Sequence, residues 1–296
     1  MVFRYPLSLT HLCPGAQQGE GWKLVRRTLT ALVGTPILIG AIWVGFPWLT
    51  ILVAVVALLG LREFYRMALG PRVPLLLPLG ALWTVLFIVS GQLADQWYDY
   101  TSHVLLGIGI MAALIWLVLN RNRAGVFAVW AYAVGGPIYV GFLLAHALML
   151  REMDGGADSS RDWVLFALLV TFATDTGAFF TGRAIGRHKM APSISPNKTW
   201  EGAIGGFLWA VGAALALGAI LQLSVPLWQR ALIGTVIGVM AQWGDLAESR
   251  LKRATGAKDA GSILPGHGGI LDRLDSIVFT FPVVYYLVAL VLKPSG

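Results

Sequence analysis

Asp272 and Asp275, in the stretch DRLDS, stand three residues apart, so on a helix they share a face about one turn from each other. Two carboxylates that close repel unless a cation sits between them. The segment QWGDLAES repeats the arrangement: Asp245, Glu248 and Ser249 fall at i, i+3 and i+4, and all three offer oxygen atoms. Hard divalent ions that accept carboxylate oxygens while keeping their waters, Mg2+ above all, suit such faces. The alternative is an ion pair in which Arg273 neutralises one or both of its neighbours. Three aspartates against a single arginine at the start of an apolar run leave surplus negative charge, which favours a metal.

Between the two acidic stretches lies a basic, glycine-containing loop. Lys252, Arg253 and Lys258 can hold phosphate oxygens electrostatically. The PGHGG segment, with Gly268 and Gly269, supplies backbone N–H groups that can turn toward an anion as a nest. Taken singly, the glycines fit a hinge and the basic residues fit the orientation of membrane helices; together with the acids they fit a metal-bound nucleotide. A second polar stretch, SISPNKTWEG, puts Ser195, Lys198, Thr199 and Glu201 just ahead of a helix rich in Gly and Ala. Capping of that helix, with Trp200 as an interfacial anchor, is the competing explanation there. Asp175, in TFATDTGAFFTGR, falls inside an apolar run, where an ionisable side chain marks either a functional site or a pair with a neighbouring helix. Small residues around it, and the pair Gly234 and Gly238, predict close helix packing. His103, His146 and His188 show no ligand spacing.

The elements that must position these groups are hydrophobic helices. Of 296 residues 57% are hydrophobic and only 12% charged, about half the charged fraction of a soluble domain. Apolar runs of roughly 20 residues, the length that crosses a hydrocarbon core, recur along the chain. An all-α, polytopic membrane protein of about nine transmembrane helices is expected, near 28–45, 47–64, 73–91, 103–120, 124–149, 163–182, 202–222, 229–247 and 273–292. The second ends in REFYR and is expected to run on into the headgroup region, and the fifth to kink at Gly135–Pro137. Alternate loops on one side hold sixteen Lys and Arg, from Lys23 to Lys258, whereas the opposite loops hold four, beside six acids. The positive-inside rule then puts the N-terminus in the cytoplasm and both long polar loops, 182–202 and 248–271, on the cytoplasmic side of the cell inner membrane.

The net charge of +7 invites a nucleic-acid partner, but the basic residues cluster between apolar runs and not along one amphipathic face, so none is expected. One cysteine, Cys13, permits neither an intrachain disulfide nor a thiolate metal site. Residues 1–22 lack the order of a signal peptide and read as a flexible tail or the result of an upstream start codon, with 23–296 as a single transmembrane domain. Glycine-rich faces permit a homodimer.

The stretch SRLKRATGAKDAGSILPGHGGILDRLD resembles the signature of the phosphatidate cytidylyltransferases, or CDP-diacylglycerol synthases. Ser249, Leu251, Lys252 and Arg253 match its opening; Lys258, Asp259 and Gly261 follow after the expected gap. Leu264 and Pro265, then His267 to Gly269, Ile270 and finally Asp272 to Asp275 complete it without a departure. DTGAFFTGRAIGRHK and ISPNKTWEGAIGG are similar to a second region of that family, so residues 173–276 are covered closely. The resemblance implies the reaction of CTP with phosphatidate to give CDP-diacylglycerol and pyrophosphate at the cytoplasmic face, by in-line attack of the lipid phosphate on the α-phosphorus. It implies a two-cation centre held by Asp245 and Asp272, with Asp275 next, containing Mg2+ and a second ion of unassigned identity. Lys252, Arg253, Lys258 and Arg273 would orient phosphates. Asp259 and His267 would order the loop or meet the nucleotide; Ser195, Lys198 and Thr199 would lie near the lipid phosphate or the triphosphate. A CTP-dependent enzyme acting on an isoprenoid lipid keeps the same site, and product analysis separates it. The rival of another class is an ion or phosphate transporter lined by Asp175, Asp245 and Asp272. Transporters often show paired halves with broken helices, whereas this sequence shows no such repeat and its acids gather on one side instead of stepping across the membrane.

Overall fold

In hydrocarbon every backbone N–H and C=O must find its partner within the protein, and an apolar run of this length does so by coiling into a helix. The computed structural model describes residues 28, 30, 32–70, 76–93, 98–120, 125–153, 157–263 and 268–292 and places a helix on each long apolar run among them. In chain order these are α1 (Leu32–Val44), α2 (Trp48–Leu69), α3 (Leu76–Gln92), α4 (Tyr98–Leu119), α5 (Val126–Gly136), α6 (Leu143–Arg151), α7 (Ala157–Ile185), α8 (Trp200–Ile220), α9 (Leu227–Ala254) and α10 (Leu271–Tyr286). Five segments are long and apolar enough to cross a membrane: Trp48–Leu69, Tyr100–Leu119, Val126–Arg151, Ser160–Ile185 and Trp200–Ile220. The protein is an all-α, polytopic membrane protein.

Three local features follow from composition. The kink expected at Gly135–Pro137 takes the form of a π-helical stretch, Pro137–Phe142, that joins α5 to α6; proline withdraws one donor there and the helix widens instead of breaking. The second expected span does run on, since α2 continues through REFYR to Leu69. The loop after α7 holds a short hairpin, β1 (Lys189–Ala191) and β2 (Ser195–Thr199), paired antiparallel with Lys189 opposite Thr199.

Helices α7 to α10 pack in sequence, α7 on α8, α8 on α9 and α9 on α10, while α10 also reaches α6, α7 and α2. Small residues let these backbones meet. A Cβ on Gly234 would lie 2.6 Å from the Ala214 Cβ, and one on Gly238 would lie 2.9 Å from the Ala210 Cβ, so the expected pair is the contact stripe of α9 on α8. A Cβ on Gly206 would come 2.8 Å from the Ala178 Cβ of α7. The consequence for function is that the C-terminal ends of α7 and α9, the N-terminal ends of α8 and α10, and the hairpin gather at one end of the molecule.

Candidate functional site

At that end a cavity of about 840 Å³ opens between α7, the hairpin, α8, α9 and α10. Its acidic wall is Asp175 from α7, Asp245 from α9, and Asp272 and Asp275 from α10; Lys198, Ser195, Thr199 and Arg273 also line it. Gly244 brings the acidic helices together. A Cβ there would fall 2.4 Å from the Asp275 carbonyl oxygen, so only glycine lets α10 approach α9 beside Asp245.

The charges are arranged as linked pairs. Lys198 Nζ lies 2.7 Å from Asp245 Oδ2, and Ser249 Oγ donates to Asp245 Oδ1 at 3.3 Å. Lys252 Nζ bridges Glu248 Oε2 at 3.0 Å and Asp272 Oδ1 at 2.7 Å. Asp272 also accepts from the backbone N–H groups of Gly269, at 2.9 Å, and Ala260, at 3.1 Å. Burial penalises the Asp272 carboxylate, yet the Lys252 ammonium and those N–H groups outweigh it and hold its pKa below the usual aspartate value. The same balance acts on Lys252, where burial is overcome by Asp272 and Glu248 and the pKa rises above the ordinary lysine value. Asp275 accepts from its neighbour's N–H, Ser276, at 2.7 Å, and Ser276 Oγ donates to Asp175 Oδ1 at 3.3 Å.

The residues picked from sequence fall into three groups. Asp245, Asp272, Asp275, Arg273, Ser195, Lys198 and Thr199 line the cavity, with Lys252 and Ser249 bonded to its carboxylates. Arg253, Lys258 and Asp259 are exposed and are not among the lining residues; Arg253 instead donates to the Ile194 carbonyl at 3.3 Å and so ties the hairpin to α9. Gly268 adopts φ +84°, the left-handed region that suits glycine, and Gly269 presents its N–H to Asp272. His267 lies outside the described residues. Thr199 also does what the competing explanation required: it is the N-cap of α8 and its hydroxyl accepts from Gly202 N at 3.1 Å.

Sequence reading left three participants unassigned. Asp175, read from sequence as a functional acid or a helix-pairing one but given no role in the transfer reaction, opens onto the cavity. His188 hydrogen-bonds Glu201, Nδ1 to Oε1 at 2.6 Å, and Glu201 also accepts the Arg187 and His188 N–H groups, which fixes the start of the hairpin. Glu63, in α2, accepts the Leu271 N–H at 3.0 Å; the signal was available as an acid within the apolar run VALLGLREFYRMAL.

A divalent cation can be tested against this donor set. Among the described residues no group of three or more His, Cys, Asp or Glu side chains is placed to hold a metal ion. Mg2+ does not require one, because it binds through one or two carboxylates, its own waters and substrate phosphates. Asp245 and Asp275, on facing helices with mutually repelling charges, supply such a pair on the cavity wall, so the residues fit a Mg2+ that arrives with a nucleotide.

The chain is similar to known proteins along most of its length. The phosphatidate cytidylyltransferase of Bacillus subtilis is 34% identical over 266 residues, which is 90% of this chain and 97% of that protein. The protein of the same name from Staphylococcus epidermidis is 35% identical over 263 residues, 88% of this chain and 97% of its own. That from Synechocystis is 30% identical over 298 aligned residues, with 90% and 97% covered. The model of the cytidylyltransferase family matches residues 25–291, and a chain so matched, with that cavity at its polar end, belongs to the cytidylyltransferase family.

Proposed function

We propose that this protein transfers the cytidylyl group of CTP to phosphatidate, giving CDP-diacylglycerol and pyrophosphate. The observation that carries it is the cavity in which four aspartates, Lys198 and Arg273 meet at one end of an apolar helix bundle. A soluble triphosphate and a lipid headgroup need a polar site at the edge of such an apolar bundle in order to meet. Phe172 and Phe179 on α7 line the cavity and are still 45% and 59% exposed, which suits acyl chains that remain in the bilayer.

In the reaction a phosphate oxygen of phosphatidate bonds to the α-phosphorus of CTP while the bond to the bridging oxygen breaks and pyrophosphate leaves. The nucleophile needs little activation; the obstacle is the repulsion of two anions. Lys198 and Arg273 would offset that repulsion and orient the phosphates, while the glycine turn at Gly268–Gly269 would hold Asp272 in place through the Gly269 N–H. Lys258, Asp259 and His267 would contribute from the loop. Asp245 and Asp275 would hold Mg2+, which when bound would neutralise charge on the phosphates, with Asp272, already engaged by Lys252 and the loop N–H groups, beside them. The bilayer reading completes the proposal: a single transmembrane domain from residue 23, nine crossings, the N-terminus and the cavity on the cytoplasmic side of the inner membrane.

The test is an assay of the purified protein in mixed micelles with phosphatidate, labelled CTP and Mg2+. CDP-diacylglycerol and equimolar pyrophosphate are expected, with loss on chelation and a fall of about 10²-fold or more in Asp245→Asn. Release of CDP with a phosphorylated lipid, or no product from the folded protein across several lipid phosphates, would overturn the reading.

A further inference from the structure

Glu63 is a carboxylate in a helix apolar enough to span a membrane, and it is 3% exposed. Placing an acid there is unfavourable unless the surroundings engage it. Among the described residues it forms no ion pair with a basic side chain. What faces it is backbone: Glu63 Oε2 accepts the Leu271 N–H at 3.0 Å across 208 residues of sequence. The backbone of Ile270 and Ile263 lies close by, and Oε1 has no hydrogen-bond partner among the described residues. Leu271 is the first residue of α10, so Glu63 serves a donor that a helix start leaves without an intrahelical partner.

The loop is shaped around this side chain at both ends. A Cβ on Gly261 would fall 2.1 Å from Glu63 Oε1, and a Cβ on Gly269 would fall 2.6 Å from Oε2. Neither position tolerates a side chain while the carboxylate is in place. The same Gly269 gives its N–H to Asp272, and the next residue after Leu271 is Asp272 itself.

We propose that Glu63 is the positioning residue of the nucleotide loop: it clamps Gly261–Ile263 and Gly269–Leu271 from behind and so sets Asp272 in the cavity, with the Gly268–Gly269 turn behind it. It touches no substrate and acts through the backbone. The inference rests on the cytidylyltransferase reading only for the identity of the ligand that the loop serves.

Two readouts on the full chain in detergent test it: hydrogen–deuterium exchange of the segment around 258–275, and kinetics with CTP and phosphatidate varied separately. Glu63→Ala is expected to speed exchange in that segment about tenfold or more while α7 and α8 keep their protection, and to raise KM for CTP by about 10–100-fold with a smaller change for phosphatidate. Glu63→Gln, which keeps one acceptor oxygen and the volume, is expected to fall between. Gly261→Ala alone is expected to mimic Glu63→Ala, and to add little to it in the double variant, because the atom it strikes has gone. Should Glu63→Ala fold poorly, the Gln variant and the Gly261→Ala variant carry the same comparison. Additive effects, unchanged loop exchange, or an equal loss of protection throughout the bundle would overturn the clamp. If the wild-type protein makes no CDP-lipid yet the loop exchange responds, the clamp stands and the substrate reading falls.

Discussion

Lys252 holds two carboxylates at once, and its surroundings decide what its removal does. Its side chain is 13% exposed, those of its partners Glu248 and Asp272 0% and 12%. Screening by water is therefore weak. Truncation would leave the Asp272 carboxylate without its ammonium partner and the buried Glu248, whose pKa burial pushes up to about 8, without its hydrogen-bond donor. Lys252→Met is expected to destabilise the protein by about 3–5 kcal/mol and to abolish turnover. Lys258, exposed in the neighbouring loop, supplies the contrast. Lys258→Met should leave stability within about 0.5 kcal/mol of wild type and register instead as a higher KM for CTP. Thermal unfolding in detergent, beside the micelle assay, separates the two. Equal melting temperatures for both variants would mean that the Lys252 bridge contributes nothing, whatever its geometry. Seen singly in the sequence, both lysines are basic residues of one loop; only burial distinguishes the bridging Lys252 from the exposed Lys258.

At the scale of elements, the spacing of α8 and α9 sets the distance from Lys198, just ahead of α8, to Asp245 on α9. That spacing is fixed by Gly234 and Gly238 seated on Ala210 and Ala214. A Cβ on Gly234 would also come 3.0 Å from the Ala210 carbonyl, a backbone atom that cannot swing away. Gly234→Ala is therefore expected to cost about 1–3 kcal/mol and to lower activity by widening the cavity. Gly212, on α8, has nothing within 4 Å of such a Cβ, so Gly212→Ala should be neutral or stabilising by up to about 1 kcal/mol. Chemical or thermal unfolding of both variants decides, and a harmless Gly234→Ala would refute the packing argument. Elements of this kind were legible in sequence, because apolar length and small-residue spacing are side-chain properties. The signature acids were legible too, since Asp245, Asp272 and Asp275 stand at helical intervals. Glu63 itself stood out as an acid in an apolar run, but its clamp did not, because its partner is a backbone N–H 208 residues away, which no side-chain type announces. The hairpin escaped for a similar reason: SISPNKT carries no alternating apolar pattern, and what holds its start is Glu201 on the following helix.

For the whole molecule the question is which way the cavity faces. The structure gathers the basic loops by contact: Arg253 reaches Ile194, Lys198 reaches Asp245, and Lys252 reaches Asp272. One end therefore carries Arg183, Arg187, Lys189, Lys198, Arg250, Lys252, Arg253 and Lys258, while the turn between α8 and α9 at the other end, LQLSVP, has no charge. Moving that many cations across a bilayer is far less favourable than retaining them, which is the physical content of the positive-inside rule. The asymmetry can be read directly, since the chain has one cysteine, Cys13. In a Cys13→Ser background, Ser224→Cys marks the uncharged turn and Arg187→Cys marks the cavity end; both parent residues are exposed. In intact cells a membrane-impermeant thiol reagent is expected to label Ser224→Cys, and to reach Arg187→Cys only after permeabilisation. The opposite pattern would place the cavity outside, away from the cytosolic nucleotide pool, and would remove CTP as the substrate even if every contact within the site were intact. Labelling of both without permeabilisation would mean that the two ends share a side, and the crossing between them, α8, would lose its transmembrane assignment.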